Sequence, residues 1–534
     1  MISPRARGAS TFAAAMVVLS VFGLASVSCV APARPADVLV LASGAELESA
    51  NPLVTVHPLS RQMQRYALFV TLFRYDSALA PQPYYAQRWS WRDDGRELVL
   101  GLAPSLRWHD GVATTARDAA FTLLAARDPA TGYPRASELA GLDTVIAVDD
   151  TTLSLRFRRA PARLPALLAE LPLVPEHLLR AVPRSAMRSA PFNDAPVGNG
   201  PFRFVSRRRG ARWSFARNDA FPLAMGGPPT LAGFVIAIVD EATTKFAGLA
   251  SAELDMAGIS PTMTAVAGRD RSLRVLSYPV LFSTALFFNT TRAPFDDARV
   301  RLAFARSINR QRLVDVALAG YAQPSSSPVP PESPEAWSPA SPRDTVRADA
   351  LLDAAGWRRG VDGVRRRAGR SLDVELLTVG SGDNVVEQLV QGDLAARGVT
   401  LRVRQIEMGS FLTSARATDK QFDLLVAGIP GDLSLSYVIA CFATAQRGGS
   451  LDYAGFHLPA LDHALTAATS ADEGTRVSRW REVQQLLDTL APATWLYHSR
   501  GVQGVSRRVG HVRMDLRGEL VAIHDWSLAA PPGR

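Results

Sequence analysis

Cysteine and lysine are almost missing from this chain of 534 residues: Cys29 and Cys441 are its cysteines, and Lys245 and Lys420 its lysines. A single cysteine beyond residue 29 excludes a disulfide framework and any Cys-based zinc site, and a buried, inert thiol is expected for Cys441. The histidines, at 57, 109, 177, 457, 463, 498, 511 and 524, form no HExxH and have no cysteine partner, so no metal site is expected. No GxSxG or other nucleophile-and-base signature occurs, and no Lys-Ser or Lys-Thr follows the glycine-rich stretch at 196–202 as a phosphate loop requires. Neither catalysis nor a cofactor is expected.

With lysine so scarce, the net charge of +9 rests on arginines spread through every segment. No aromatic ladder interleaves them, which argues against nucleic acid as a partner. The tightest basic clusters, 207–209 and 365–367, flank turns and read as solvated loops. Disorder is excluded by a hydrophobic fraction of 47% against 20% charged residues. The length predicts at least two lobes, with one large composite fold as the alternative.

The one conspicuous apolar run, residues 11–27 behind Arg5 and Arg7, is short for a membrane span and reads as a secretory signal. Small residues at 26–28 precede Cys29, the pattern of a lipoprotein signal in which Cys29 is lipidated after cleavage; ordinary cleavage near 31–36 is the alternative. Either way the mature protein lies outside the cytoplasmic membrane.

Residues 80–129 carry the most specific pattern. Trp89 and Trp91 alternate with polar residues, Asp93-Asp94-Gly95 makes a turn, and Leu98, Leu100 and Leu102 alternate again, predicting a hairpin of two half-buried strands. After Trp108-His109-Asp110-Gly111, Thr115 caps a helix with Asp118 completing a capping box, Phe121, Leu124 and Ala125 share the inward face, and Pro129 bars continuation. A second hairpin is expected over 145–157 around Asp149-Asp150, and short helical pieces between the prolines of 164–179. Residues 65–75 fit a helix leading into a strand, and 284–289 a strand that runs into a helix capped by Asp296 or Asp297, with Val300, Phe304 and Ile308 facing a core. Strands at 372–378 and 401–406 around a helix at 384–397 imply an α/β unit with parallel pairing.

This order of elements, from Pro81 and Ala86 through DDG and RWHDG to a capped helix ending in DP, resembles the family 5 solute-binding proteins of bacterial ABC importers, the binders of oligopeptides, dipeptides and nickel. Residues 196–202, PVGNGPF, resemble the family's PVGTGPY; 253–257 resemble its GEVDIA strand; and 294–310 resemble its PPFDDVRVRQALSLAIDR. The resemblance implies an α/β, two-lobed periplasmic-binding-protein-like clamp of class II with an extra domain inserted in lobe one. Lobe one would comprise 36–79, the insertion 80–195, then 196–290 and the tail 491–534; lobe two would be 291–490, after a signal of 1–29.

In oligopeptide-binding relatives the loop after the strand at 422–428 reads GWxADYxxP, and its aspartate holds the ligand's amino terminus. Aligned on Gly428, that carboxylate is Asp432, for which a turn or helix-capping role is the other reading. Ile429 replaces the tryptophan and so removes an aromatic wall. Tyr437, Tyr453, Glu46 and Asn51 are the further ligand-binding candidates. The implied function is capture of a peptide or peptide-like solute for delivery to an ABC permease and ATPase complex by a monomer, periplasmic or on the outer face of the membrane, lipid-anchored if Cys29 is modified. A ligand-sensing clamp for a membrane signalling partner, or a binder of a metal chelate or sugar, uses the same fold.

Overall fold

In the computed structural model, residues 37–529 are described, apart from 56, 338–342, 381–383 and 418. The segment 1–29 and the lipidation of Cys29 lie outside the described residues. Ten strands lie on one continuous path: β1 (Val38–Ser43), β2 (Phe202–Arg208), β3 (Arg212–Arg217), β4 (Gly233–Ile238), β5 (Met256–Gly258), β6 (Leu273–Phe288), β7 (Asp373–Val379), β8 (Thr400–Ile406), β9 (Leu424–Pro430) and β10 (Ala493–Ser506). Their spatial order is β8-β7-β9-β6-β10-β5-β1-β4-β3-β2. Pairing is parallel for β7 with β8 and β9, and for β1 with β4 and β5.

The two long strands, β6 and β10, run antiparallel and belong to both halves of the molecule. Leu273 to Pro279 pairs with Ser506 to Arg500, and Ser283 to Phe287 with His498 to Ala493, with a register shift between Pro279 and Ser283. Beyond the shift, side chains alternate between two cores. Ala285 and Phe287 join Trp480, Val483 and Trp495 on one face, while Leu286 and Phe288 join Val300, Phe304 and Leu313 on the other. This period-2 burial on both faces is what a sheet covered by helices on either side requires. Before the shift, the strands adjoin a separate core built from residues 39–256 and 505–526, and the smaller cluster around Leu249, Leu254 and Leu273. The fold is thus two-lobed and α/β.

The segment 80–195 contributes a four-stranded sheet, ordered Ala86–Arg92, Glu97–Leu102, Thr152–Phe157, Leu142–Ala147. Leu98, Leu100, Leu153 and Leu155 fill the first core, whereas Trp89 and Trp91 stay about a third exposed. The capping box forms as expected: Thr115 N–H donates to Asp118 Oδ2 at 2.8 Å, and the helix Ala116–Arg127 stops before Pro129. Leu124 departs from expectation and faces solvent, because Phe121, Leu123 and Ala125 already fill the inward stripe. Residues 65–75 also differ: the helix is Pro58–Met63, a π-turn Gln64–Leu68 ends it, and only Phe73–Tyr75 is strand.

Two motifs of the sequence dock on each other here. Asn199 accepts from Val70 N–H at 3.0 Å, and Asn199 and Gly200 N–H groups both donate to Leu68 C=O. His109 N–H donates to Gly198 C=O at 2.7 Å, and its ring Nε2 meets Gly200 C=O at 3.0 Å. A Cβ on Gly200 would stand 2.5 Å from Ala67 C=O. The expectation of solvated basic loops fails at Arg365, which is 1% exposed. Its guanidinium makes four hydrogen bonds, to Asp349, Asp353 and the Trp357 and Arg397 carbonyls at 2.7–2.8 Å, which is what allows a charge to be buried. In the other cluster Arg207 is tied to Asp194 and Glu46.

Two outcomes follow for stability. Gly200→Ala should lower the denaturation midpoint by the equivalent of roughly 2–4 kcal/mol, since backbone rather than a movable side chain obstructs the added methyl; an unchanged urea midpoint would contradict the packing. His498, beside the register shift, has Nε2 2.9 Å from Ser327 C=O and a buried Nδ1 without a partner among the described residues. Burial depresses its pKa to about 4 against the Ser327 contact, which favours the charged ring. A depressed base is stabilising above its unfolded value of about 6.5 and loses that contribution as pH falls from there towards 4. His498→Gln should therefore lessen the acid loss of stability across that window by on the order of 3 kcal/mol, read from urea midpoints at pH 7 and pH 4.

Candidate functional site

The register shift opens a cleft. Val280 to Phe282 leave the pairing with β10 there and, with Tyr278 and Pro279, form one wall, Pro430 to Leu433 at the end of β9 form another, and Arg61, Arg65 and the 516–519 turn close it from the first lobe, around a cavity of about 320 Å³. Pro279 suits this position because it has no N–H to offer the ladder. Phe282 is 42% exposed and lies in the cleft. Gly428 beside it has no Cβ, and one would sit against the Phe282 ring. The aromatic surface expected to vanish with Ile429 is thus supplied by the neighbouring strand, while Ile429 itself is core.

Asp432 lines this cleft. Its carboxylate accepts from Ser434 Oγ at 2.6 Å, Ser436 N–H at 3.0 Å and Ser436 Oγ at 2.5 Å, holding the turn into the helix Ser436–Phe442. It has no cation partner among the described residues. Glu519, on the opposite side, accepts from Gln503 Nε2 at 2.8 Å and Tyr278 Oη at 3.0 Å, and also has no paired cation among the described residues. Burial raises its pKa against those two donations. Deeper lies Glu170, 5% exposed, shared by Arg135, Arg61 and Arg65. Burial would raise its pKa, but the three guanidiniums outweigh that and hold it at about 2. Arg517 is used within its own turn, on Asp515 at 2.6 Å and Tyr75 C=O at 2.6 Å.

The other sequence candidates are elsewhere. Tyr437 is 4% exposed and donates its hydroxyl to Pro328 C=O at 2.8 Å, inside the second-lobe core. Tyr453 packs edge-on against Phe287 in the same core, ring centroids 5.3 Å apart. Asn51 is fully buried and bonds Asn193 and Leu53 N–H at 3.0 Å. Glu46 accepts from Trp213 Nε1 at 2.7 Å and Gly210 N–H at 2.6 Å, clasping the β2–β3 hairpin. Burial raises its pKa, and the Trp213, Gly210 and Arg207 contacts lower it further than that. None of these four lines the cleft. Arg61, Tyr278, Phe282 and Glu519 do, and nothing in their local sequence announces it.

The profile of the bacterial extracellular solute-binding proteins, family 5, matches residues 80–446. The chain belongs to that family. Its relatives include Protein XP55 of Streptomyces lividans, 28% identical over 418 residues that cover 76% of this chain and 74% of the relative. The dipeptide-binding protein of Escherichia coli K12 is 24% identical over 527 residues, covering 92% of this chain and 94% of the relative. Among solved structures, the oligopeptide-binding protein AppA of Bacillus subtilis, in complex with a nonapeptide, has a TM-score of 0.74 at 22% identity, covering 92% of this chain and 98% of AppA. Among the described residues, no helix of this family member is long and apolar enough to cross a membrane, and no group of three or more His, Cys, Asp or Glu side chains could hold a metal ion.

The placement of Tyr437 predicts a purely structural role. Tyr437→Phe should cost about 1–3 kcal/mol by leaving the buried Pro328 carbonyl without its donor, and should leave ligand affinity unchanged in calorimetry; a tenfold weaker affinity at unchanged stability would return Tyr437 to the binding site.

Proposed function

We propose that this protein is the extracytoplasmic binding component of an ABC importer and takes a peptide or peptide-like solute into the cleft at the β6–β10 register shift. The observation that carries this reading is the pair of cleft carboxylates, Asp432 from the second lobe and Glu519 from the first, neither balanced by a cation. Half-buried anions of this kind favour a ligand that brings an ammonium or guanidinium and hydrogen-bond donors. The names of the relatives point the same way. In this reading lobe one comprises 36–79, 80–195, 196–290 and 491–534, and lobe two 291–490, with the strand pair shared between them. The lobes close because the ligand touches both walls only when they meet, and the closed form is what a permease and ATPase complex recognises. The protein acts as a monomer, tethered through lipidated Cys29 after removal of the signal.

Native mass spectrometry of gently purified protein lacking residues 1–29, followed by denaturation, tests this directly. A ligand present at a hundred times its dissociation constant adds roughly 2.7 kcal/mol of stability, so a tight binder retains its cargo. The expected outcome is release of peptides from the native protein and none from Asp432→Asn, whose side chain keeps an acceptor for Ser436. Release of a single sugar or metal complex would overturn the peptide reading while leaving the clamp intact.

A further inference from the structure

Away from the cleft, the short strands Arg358–Arg359, Arg365–Arg367 and Arg370–Ser371 form a separate antiparallel sheet, joined through Trp357 to the core of Val300 and Phe304. From Trp357 to Ser371 the chain carries six arginines and a single acidic residue, Asp362. The register sets arginine against arginine: Arg358 is paired with Arg366, Arg359 with Arg365, and Arg367 with Arg370. Like charges directly opposite one another across a sheet are destabilising, so this arrangement is costly in the protein alone.

Carboxylates compensate two of the six. Arg365 is buried on Asp349 and Asp353, and Arg366 binds both oxygens of Asp362 at 2.6 and 2.8 Å. The other four are exposed and meet no carboxylate within ion-pair distance among the described residues. Arg359 donates to the Gly363 and Ala396 carbonyls, and Arg367 lies 5.0 Å over the Trp357 ring. Arg358 and Arg370 have no side-chain partner among the described residues.

Between the first two strands the turn Gly360 to Gly363 is closed by Gly363 N–H donating to Gly360 C=O at 3.0 Å, and Gly360 N–H donates to Val364 C=O at 2.9 Å. Val361 stands at its tip and, at 112%, is the most exposed large hydrophobic side chain among the described residues. Asp362 beside it is neutralised by Arg366, so the tip presents an apolar side chain within a ring of uncompensated cations. A nucleic acid would want exposed rings on which to stack, and the one aromatic here, Trp357, is 7% exposed beneath Arg367. An acidic protein would want an apolar centre broader than one valine. A layer of anionic lipid headgroups takes dispersed guanidiniums and an isolated apolar side chain without shape matching.

We propose that this hairpin docks on the anionic surface of a phospholipid bilayer, with Arg358, Arg359, Arg367 and Arg370 at the lipid phosphates and Val361 entering the boundary between headgroups and acyl chains. The contact is independent of what the cleft binds. It would fix which side of the protein faces the membrane, because the described residues offer this cationic sheet and its apolar tip on one hairpin.

Co-sedimentation of the chain from residue 30 onwards, which holds every described residue and carries no acyl group, with vesicles of phosphatidylcholine alone or mixed with phosphatidylglycerol tests the docking. The expected result is binding to the mixed vesicles only, falling as salt is raised. Arg358→Gln and Arg370→Gln should each weaken it roughly fivefold at an unchanged melting temperature. Val361→Ser should weaken it by a similar factor, and that loss should persist as salt rises, since apolar burial is not screened. Binding to neither kind of vesicle, equal binding to both, or binding untouched by the two arginine substitutions together would overturn the docking. Affinity for immobilised poly-L-glutamate without affinity for the mixed vesicles would assign the arginines to an acidic protein and overturn the bilayer contact. An unchanged affinity in Val361→Ser would overturn the insertion of the tip.

Discussion

The antiparallel pairing of β6 with β10 is the constraint on which everything else depends. These strands are the part of the sheet that both lobes share, and their ladder is continuous except where Pro279 to Ser283 slips against Arg500 to His498 and at a second shift between Thr284 and Ala285. On the second-lobe side of the slip every residue from Ser283 to Phe288 is buried, with alternate side chains committed to two different cores. A one-residue change of register there would exchange the two sets of side chains between the cores. The slip is therefore the place where the pair can flex without disturbing either core, and it is also where backbone leaves the ladder and becomes available to line a cleft. The strand irregularity and the cleft thus coincide.

The motifs that make the family legible do a different job. His109, Gly198, Asn199 and Gly200 join the loop after Trp108 to the chain crossing at 196–202 and to the backbone of Leu68 and Val70. Asp118 caps its own helix and also accepts from Glu176 N–H at 2.9 Å. These contacts demand particular residue types: a short amide that reaches a backbone donor, glycines where a methyl would strike a carbonyl, an imidazole kept neutral by burial. Such demands leave a strong mark in sequence because few residues satisfy them. They fix the inserted segment against the first lobe and say nothing about cargo.

The cleft leaves a weaker mark. Asp432 was legible because it sits at a set distance after a strand that could be recognised. Arg61 and Glu519, which share a cavity with it, are separated by most of the chain, and each is one more charged residue beside a turn until the fold brings them together. Tyr437 and Tyr453 look like binding-site tyrosines by position, yet the second-lobe core needed their rings, and a carbonyl from Pro328 answers the one buried hydroxyl that would otherwise have called for a ligand. Arg365 shows the same limit from the other direction. Local composition made it a surface residue, and the helix Thr345–Ala354 supplied the two carboxylates that bury it. Periodicity reads what a segment needs of its neighbours; it does not read which distant groups arrive to meet that need.

Electrostatics then gives the proposed clamp its reason to wait for cargo. The field of Asp432 reaches Glu138 in the first lobe, whose pKa is raised by burial and, with Arg135 opposing, further by Glu170 and Asp432. Glu519 adds an anion on the same side of the cleft. In the proposed closure, bringing the lobes together without a ligand would concentrate the carboxylates of both lobes in a space from which water is driven. Each unfavourable pairing grows as the local dielectric falls. A solute that supplies a cation there reverses the sign. Moving a two-state equilibrium from mostly open to mostly closed takes about 5.5 kcal/mol of differential affinity, and charges satisfied only in the closed form contribute to that difference, whereas contacts to a single lobe do not.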